Sequence, residues 1–460
     1  MSTQPWQMSG TEVAELVRNK KISAREVVES HSARIDAINT ALNAIVLRTD
    51  VDALTHAALI DDGKVSGPLA GAVGTSKINT DHVPYPMDNG VRAFKDNISP
   101  NTHACIIGLQ DAGMSFIGRT NAPAISMRFH TGNDLHGETI NPYGEHLTPG
   151  GSSGGAAVAV ATGMCAIAQG NDVGGSIRFP AYCNGIYGLR PTVGRMPTGG
   201  TNPNPRTFMG AIMSTNGPLA RTMDDIRTSY HAMLHPDWND PLWIPVPTEF
   251  PNTPSKKCVA LIVGDDFGID TEVVHTIREA GDTLRAAGYE VEEINPPMLN
   301  SIFSLWARLA ILDVDHSIEP ALPIINDEGL TKAFASWMPA FPERSAVTMM
   351  NALNEREMVL RTWNAFFNDY SLIVMPSWSK PFMRANEDIE SDDAMQHVAV
   401  DGRYMLAVCA LGLPGLAVPM GIRNGVPSGV QIVSHAWRED LLLQAGDAFE
   451  AVRGKVAVLD

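Results

Sequence analysis

Cysteine is scarce in this chain, and its spacing argues against two classes of protein. The 460 residues contain five cysteines, at positions 105, 165, 183, 258 and 409. No two of them have the C-x-x-C spacing of zinc sites or redox motifs, and an odd number does not complete a disulfide framework. We therefore expect five buried, reduced thiols, a cytoplasmic location, and neither a metal nor another cofactor.

Long hydrophobic runs and an excess of positive charge are also missing. The longest apolar stretches, such as AAVAVATGMCAIA at 156–168, are too short to span a bilayer and contain glycine. The N-terminus has no basic start followed by an apolar run, so we expect no signal peptide. Lysine and arginine number 34 against 51 aspartates and glutamates, and the net charge of −17 argues against nucleic acid and anionic membranes as partners.

Segments with strand patterns alternate with segments that have helix patterns. Ser9 with Glu12, and Ser23 with Glu26, have the spacing of capping boxes and predict two amphipathic helices at the N-terminus. A further helix is predicted at 271–288. The predicted strands are MSFIG (114–118), KKCVALIVG (256–264), YEVEEI (289–294), YSLIVMPS (370–377) and GVQIV (429–433). This alternation indicates an α/β protein.

Two glycine–serine runs between residues 148 and 191 contain the chemically informative side chains. In the second run, DVGGS, the amides of Val173, Gly174, Gly175 and Ser176 are consecutive, and a helix beginning near Ser176 would direct them at one spot. Such amides stabilise a developing oxyanion, and a serine at their edge is placed to attack a carbonyl. The first run, GGSSGGAAVAVA, is also compatible with a phosphate cradle or with a GxSxG nucleophile elbow, although the segment before it is a polar loop rather than a strand.

The two runs and the residues after them resemble the amidase signature family, in its stand-alone amidase branch. Ser152 and Ser176 lie 24 residues apart, and IRFPAYCNGIYGLRPTVGRMP follows at once. Four more segments are similar to the family: GPLAGAVGTSK, LQDAGMSFIGRTN, GPLARTMDDI and ALGLPGLAVPMGIRNGVPSGVQIVS. The resemblance implies an α/β fold in which a large mixed twisted β-sheet is covered on both faces by α-helices.

The resemblance also implies a single amidase domain at 1–460. Residues 1–65 would form an N-terminal helical arm, and residues 66–235 the signature core with the catalytic residues. Residues 236–460 would complete the sheet and the substrate pocket.

A catalytic triad without histidine follows from the same resemblance. Ser176 would be the nucleophile, Ser152 a bridging serine preceded by a cis peptide bond, and Lys77 the base, with the four amides named above as the oxyanion hole. A lysine is a useful base at neutral pH only if burial lowers its pKa from about 10.4. Lys95 competes for the role, because FKDNI resembles the family's lysine–aspartate motif, but it lies in a polar loop. Lys77 ends GPLAGAVGTSK, which occupies the place of the family's strand leading into the lysine.

Two positions depart from the family's usual pattern. Ile78 follows the lysine where an acidic residue is usual, and the acid is delayed to Asp81. Asn171 stands where serine or threonine is usual, and it can still donate and accept hydrogen bonds. Both changes concern the tuning of Lys77. The residues expected to support the triad are Ser153, Asn171, Asp172 and Arg178, with the last two as an ion pair.

The expected reaction is hydrolysis of a small carboxamide to a carboxylate and ammonia or an amine, through an acyl-enzyme. Ser126 and Met127 match the family segment that lines the acyl pocket. Alternatives are an ester, carbamate or aryl-amide hydrolase and the glutaminase subunit of a tRNA-dependent amidotransferase. We expect a small-molecule amide substrate, no nucleic acid or membrane partner, and a homodimer as the oligomer to test. The apolar pocket candidates, which predict a neutral acyl group, are Met127, Phe129, Met209 and Trp378.

Overall fold

One mixed sheet of eleven strands organises the part of the chain that the computed structural model describes, residues 4–199, 206–250, 257–338 and 343–459. Its strands are β1 Ile45–Arg48, β2 Val73–Lys77, β3 Ser115–Thr120, β6 Ile167–Asp172, β7 Tyr187–Arg190, β8 Thr215–Ala220, β9 Cys258–Leu261, β10 Glu290–Glu293, β11 Leu372–Pro376, β12 Gly415–Arg423 and β13 Val426–Ser434. They lie in the order β1-β3-β2-β6-β8-β7-β12-β13-β11-β9-β10. A separate ribbon pairs β4 Gly132–Asn133 with β5 Gly137–Glu138.

Helices cover both faces of this sheet. They are α1 Gly10–Arg18, α2 Ala24–Leu42, α3 Asp50–Asp61, α4 Ala104–Asp111, α5 Gly154–Ala161, α6 Arg178–Asn184, α7 Phe208–Met213, α8 Met223–Met233, α9 Thr271–Ala286, α10 Leu305–Asp313, α11 Leu322–Ile325, α12 Glu328–Trp337, α13 Ala346–Phe366, α14 Asp392–Asp401, α15 Arg403–Leu411 and α16 Glu439–Arg453. Within the described ranges, none of these helices combines the length and apolarity that a membrane span requires.

Alternation along the strands distributes side chains to two separate cores. In β9, Val259 and Leu261 belong to the core that contains Ile277 of α9. Ala260, between them in sequence, belongs to the core that contains Trp306 of α10. Successive strand residues point to opposite faces, so a strand whose residues are all apolar must be covered on both sides. This arrangement confirms the α/β sheet with helices on both faces.

The pairing of three parallel strands brings the predicted catalytic segments together. β2 pairs in parallel with both β3 and β6. Parallel strands present their carboxyl ends at the same edge of a sheet, and loops that follow such ends build sites there. Lys77 is the last residue of β2, and Asn171 and Asp172 are the last two residues of β6. The segment that contains Ser176 leaves the sheet at the same edge.

The local predictions agree with the structure in type and place. Ser9 caps α1 and Ser23 caps α2, and both capping boxes are formed. The helix predicted at 271–288 is α9, and the five predicted strands correspond to β3, β9, β10, β11 and β13. Lys256, the first residue of one predicted strand, lies outside the described residues.

Candidate active site

Lys77 lies at the end of β2 with its side chain fully enclosed by protein. Its exposed fraction is 0%, and burial lowers the pKa of its ammonium group well below the ordinary value. The negative charge of Asp172 opposes this shift in pKa but does not cancel it. A buried lysine of this kind loses its proton more readily than an exposed one, which is what a general base requires.

Three oxygen atoms surround the Lys77 ammonium nitrogen. Nζ lies 2.7 Å from Ser152 Oγ, 3.0 Å from Ser153 Oγ and 2.9 Å from Asn171 Oδ1. Both serines come immediately before α5, and the Gly151–Ser152 peptide bond is cis, as the family resemblance implied. Ser153 occupies the N-cap position of α5 but makes no side-chain capping bond there. Its hydroxyl is therefore used in the site rather than to cap the helix.

Asn171 is held by a second amide that the sequence did not single out. Asn171 Nδ2 donates to Asn79 Oδ1 at 2.8 Å, and Asn79 Nδ2 donates back to Asn171 Oδ1 at 3.2 Å. Asn79 Nδ2 also lies 2.8 Å from Ser126 Oγ. Asp81, the first acidic residue after Lys77, does not contact the Lys77 amine, and its carboxylate accepts from the Ser99 hydroxyl. The groups in contact with Lys77 Nζ are thus neutral.

Ser176 lies in the loop between β6 and α6, where it lines a small cavity. Its exposed fraction is 8%, and its backbone carbonyl accepts from the Ser153 amide at 3.2 Å. Gly175 before it has φ of +106°, and a Cβ placed there would lie 2.7 Å from Met405 Cβ. Only glycine fits both conditions without strain. The helix expected near Ser176 begins two residues later, at Arg178.

The carboxylate of Asp172 holds the loop that contains Ser176 through a buried network of hydrogen bonds. Its carboxylate accepts from the amides of Gly175 at 2.8 Å and Ile177 at 3.2 Å. Arg178 and Arg190 also donate to it, at 3.0 and 3.1 Å. Although burial alone would raise the pKa of Asp172, these two guanidinium groups hold it far below its usual range. The predicted Asp172–Arg178 ion pair is present and fully buried.

The Gly175 contact changes the expectation for the oxyanion hole. Because the Gly175 N–H donates to Asp172, it does not point at the spot that the four-amide prediction required. The peptide bond between Val173 and Gly174 is oriented by Trp306, whose Nε1 donates to the Val173 carbonyl at 2.7 Å. In a trans peptide the N–H points away from the C=O, so the Gly174 N–H is directed away from this indole. Gly174 and Ser176 both line the small cavity.

A larger apolar cavity adjoins the space in front of Ser176. The small cavity is bounded in part by Ser126, Met127 and Gly151. Its apolar wall is shared with a second cavity of about 240 Å³. The shared residues are Phe129, Trp306, Trp337 and Leu406. An apolar group on the substrate can therefore extend from the attacked carbonyl into a compartment whose lining includes five aromatic rings.

The other residues that the sequence suggested for the base or the substrate pocket lie in the site, in the core or at the surface. Lys95 is exposed, with 64% of its side chain accessible, and pairs with Asp96. Met209 and Trp378 are buried in core clusters and are not among the residues that line the two cavities just described. Ser126 and Met127, the residues expected at the acyl pocket, line the small cavity. Lys95 is thus far less suited than Lys77 to act as a desolvated base.

Comparison with known proteins places the chain among amide-hydrolysing enzymes. A family model described as Amidase matches residues 26–443. The chain is 37% identical over 459 residues to an indoleacetamide hydrolase of Bradyrhizobium diazoefficiens, covering 98% of this chain and 88% of the relative. It is 28% identical to a glutamyl-tRNA(Gln) amidotransferase subunit of Alkalilimnicola ehrlichii, covering 96% of each. The crystal structure of a bacterial aryl acylamidase of the amidase signature family superposes with a TM-score of 0.84 at 26% identity, covering 98% of this chain and 97% of that one.

Proposed function

This chain belongs to the amidase family and is an amide-cleaving hydrolase, and we propose that it acts through an acyl-enzyme on Ser176, with Ser152 as proton relay and Lys77 as base. The family resemblance stated from the sequence is confirmed, whereas the roles of the individual residues are our proposal. The observation that carries this proposal is the set of three oxygens around Lys77 Nζ.

The hydrogen-bonding capacity of a neutral lysine determines which of these contacts is the catalytic one. A neutral amine has two N–H bonds and one lone pair. The Asn171 amide oxygen is only an acceptor, and the Ser153 hydroxyl lies 3.4 Å from the Asn171 carbonyl, to which it donates, so its oxygen faces Lys77 as an acceptor. If the two N–H bonds go to Asn171 and Ser153, the lone pair is left for the Ser152 hydroxyl. Ser152 can then donate to Lys77 and accept a proton from Ser176.

The reaction begins with attack of Ser176 Oγ on the amide carbon. Its proton moves to Ser152 as the Ser152 proton moves to Lys77, which leaves an ammonium group and a tetrahedral oxyanion. The proton then returns through Ser152 to the leaving nitrogen, the C–N bond breaks, and ammonia or an amine departs. Protonation comes first because an amide nitrogen is a poor leaving group as an anion. Water hydrolyses the resulting ester by the same relay and restores Ser176.

We assign oxyanion binding to the amides of Val173, Gly174 and Ser176, and leave Gly175 out. The Asp172 network and the Trp306 contact hold the loop before the substrate arrives. Donors fixed in advance do not need to reorganise as the negative charge develops, which is the main advantage of such a site over water.

The preferred substrate is proposed to be a primary amide whose acyl group carries an aromatic ring. The apolar compartment beside Ser176 is walled by Phe129, Trp306 and Trp337, and its volume of about 240 Å³ suits a small ring system. The similarity to an indoleacetamide hydrolase makes indoleacetamide the first compound to try.

Ammonia release tests this proposal. The panel contains indoleacetamide, phenylacetamide, acetamide and glutamine, with wild type, Ser176→Ala and Lys95→Ala. We expect the two aromatic amides to have the highest kcat/KM, Ser176→Ala to be inactive, and the surface variant Lys95→Ala to match wild type. Full activity in Ser176→Ala would overturn the acyl-enzyme, and inactivity of Lys95→Ala would overturn the choice of lysine.

The second candidate function is a glutaminase subunit of a tRNA-dependent amidotransferase. It is favoured by the match along nearly the whole chain to a glutamyl-tRNA(Gln) amidotransferase subunit, at lower identity than the match to the hydrolase. It predicts ammonia release from glutamine and little from aromatic amides. Ester, carbamate and aryl-amide analogues of the best substrate, added to the same panel, measure which of these bonds the enzyme cleaves fastest.

The wider expectations about organisation, location and partners are also proposals. The signature core at 66–235 would supply the triad, and the part at 236–460 the pocket wall, within one functional domain. Four of the cysteines, Cys105, Cys165, Cys183 and Cys409, are buried as thiols, which supports the reducing, cytoplasmic location that we propose. Size-exclusion chromatography with light scattering measures the mass of the protein in solution and so tests whether it is a homodimer.

A further inference from the structure

We propose that Asn79 is a positioning residue, which fixes the side-chain amide of Asn171 so that its oxygen, and not its nitrogen, faces Lys77. This inference rests on the proposed function, because it assumes that Lys77 is the base. It concerns a residue outside the triad and outside the supporting set expected from the family.

The orientation of the Asn171 amide matters because its two ends have opposite roles. The oxygen only accepts hydrogen bonds, and the nitrogen only donates them. With the oxygen at 2.9 Å, Lys77 Nζ donates to Asn171 and keeps its lone pair for Ser152. With the amide reversed, Asn171 would present N–H bonds to the amine. The Lys77 lone pair would then be drawn to Asn171, and the relay from Ser152 would lose its acceptor.

Asn79 stabilises the productive orientation by receiving the other end of the amide. Asn171 Nδ2 donates to Asn79 Oδ1 at 2.8 Å. Asn79 Oδ1 also accepts from the Thr80 hydroxyl at 3.4 Å, and Asn79 Nδ2 also donates to Ser126 Oγ at 2.8 Å. Each end of the Asn79 amide thus has a further partner besides Asn171. The reciprocal pair opposes reversal of either amide alone, because that would set two N–H groups or two oxygens against each other.

The placement of these residues follows from the sheet. Asn79 comes two residues after the end of β2, and Asn171 lies near the end of β6, the parallel neighbour of β2. The usual serine or threonine at position 171 would have no amide to orient. Asparagine at 171 therefore creates a need for orientation, and Asn79 meets it.

A double-mutant cycle on kcat/KM tests the coupling between the two residues. Asn79→Leu alone should lower kcat/KM by about tenfold, the size of one lost hydrogen bond that matters to the reaction. In an Asn171→Ser background, where no amide remains to be oriented, the same change should lower it by less than about threefold. Asn97→Leu, at an exposed asparagine of the loop that holds Lys95, is the matched control and should behave as wild type. If Asn79→Leu does not fold, Asn79→Ser, with its shorter side chain, takes its place in the cycle.

The pH profile separates positioning from a general loosening of the site. The charged groups that face Lys77 are Asp172, with its two arginines, and Arg119 on β3, which donates to the Lys77 carbonyl at 3.0 Å. None of these changes in Asn79→Leu. When the Asn171 amide reverses in Asn79→Leu, Lys77 Nζ loses the Asn171 oxygen as a hydrogen-bond acceptor, and this disfavours the ammonium form of Lys77. The ascending limb of kcat/KM should therefore move to lower pH while the plateau falls. A site merely opened to water would move the limb to higher pH.

Two results would overturn the role of Asn79. One is an equal loss in both backgrounds, and the other is an ascending limb that stays in place or moves to higher pH. With Ser176→Ala inactive, either result removes only the inference about Asn79. Retained activity in Ser176→Ala would instead remove the proposed function itself.

Discussion

Replacing Trp306 by phenylalanine tests whether the loop to which we assign oxyanion binding is held in position before the substrate arrives. The change removes the hydrogen bond of 2.7 Å from the indole to the Val173 carbonyl and keeps an aromatic ring in the pocket wall. One such bond contributes about 0.5–1.5 kcal/mol net, which corresponds to roughly a twofold to twelvefold change in rate. The upper limit is complete loss of an oxyanion donor, which lowers kcat by about 10²- to 10³-fold.

We therefore expect Trp306→Phe to lower kcat by about fivefold to a hundredfold and to change KM by less than about threefold. An interaction that strengthens only in the transition state appears in kcat rather than in KM. Steady-state kinetics on the best aromatic amide provide the measurement. Trp337→Phe is the matched control, because Trp337 lines the same cavity with its ring 6.0 Å from that of Trp306.

In the control Trp337→Phe, the smaller area of the phenyl ring in the cavity wall should raise KM more than it lowers kcat. An unchanged kcat in Trp306→Phe would refute the reasoning. So would an equal loss of kcat in both variants, since that would show a general effect of the pocket wall.

Three further predictions concern the loop and the base. Gly175→Ala should lower kcat at least tenfold and destabilise the protein by about 1–3 kcal/mol, since φ of +106° and the nearby Met405 oppose any Cβ, and kinetics with urea unfolding measure both effects. Asp172→Asn should destabilise by about 3–5 kcal/mol, because it leaves two buried arginines without a carboxylate, and a urea midpoint equal to wild type would contradict this. Lys77→Met should flatten the pH dependence of unfolding. In wild type the folded-state pKa of Lys77 is lowered, so between that value and about 10.4 only the unfolded state binds the proton, and the free energy of unfolding rises with pH. Urea titrations between pH 6 and pH 10 should show the smaller slope in the variant.

The three residues of the proposed triad could be selected from the sequence because each lies in a recognisable local segment. Ser152 and Ser176 lie in glycine–serine runs, and Lys77 ends GPLAGAVGTSK, a segment that is similar to the family's strand leading into the lysine. Expected burial distinguishes Lys77 from Lys95, and the structure places the first fully inside and the second at the surface. The capping boxes at Ser9 and Ser23 are equally local.

The contacts that tune the site could not be predicted, because they join distant parts of the chain. Asn79 meets Asn171 across 92 positions, only because β2 and β6 are neighbours in the sheet. Trp306 reaches Val173 across 133 positions, and no motif surrounds it. The use of the Gly175 amide by Asp172 depends on the turn of a single loop. Strand order and loop path determine these contacts.

The central claim is that an uncharged Lys77 withdraws the proton of Ser176 through Ser152. The most direct test is the rate at which a fluorophosphonate labels Ser176, followed by intact mass between pH 5 and pH 11 in wild type and Lys77→Met. We predict that labelling in wild type rises to a plateau well below the ordinary pKa of lysine, about 10.4, and that the variant loses this rise. Equal labelling of both proteins at neutral pH, or a rise only near the ordinary lysine pKa, would contradict the claim.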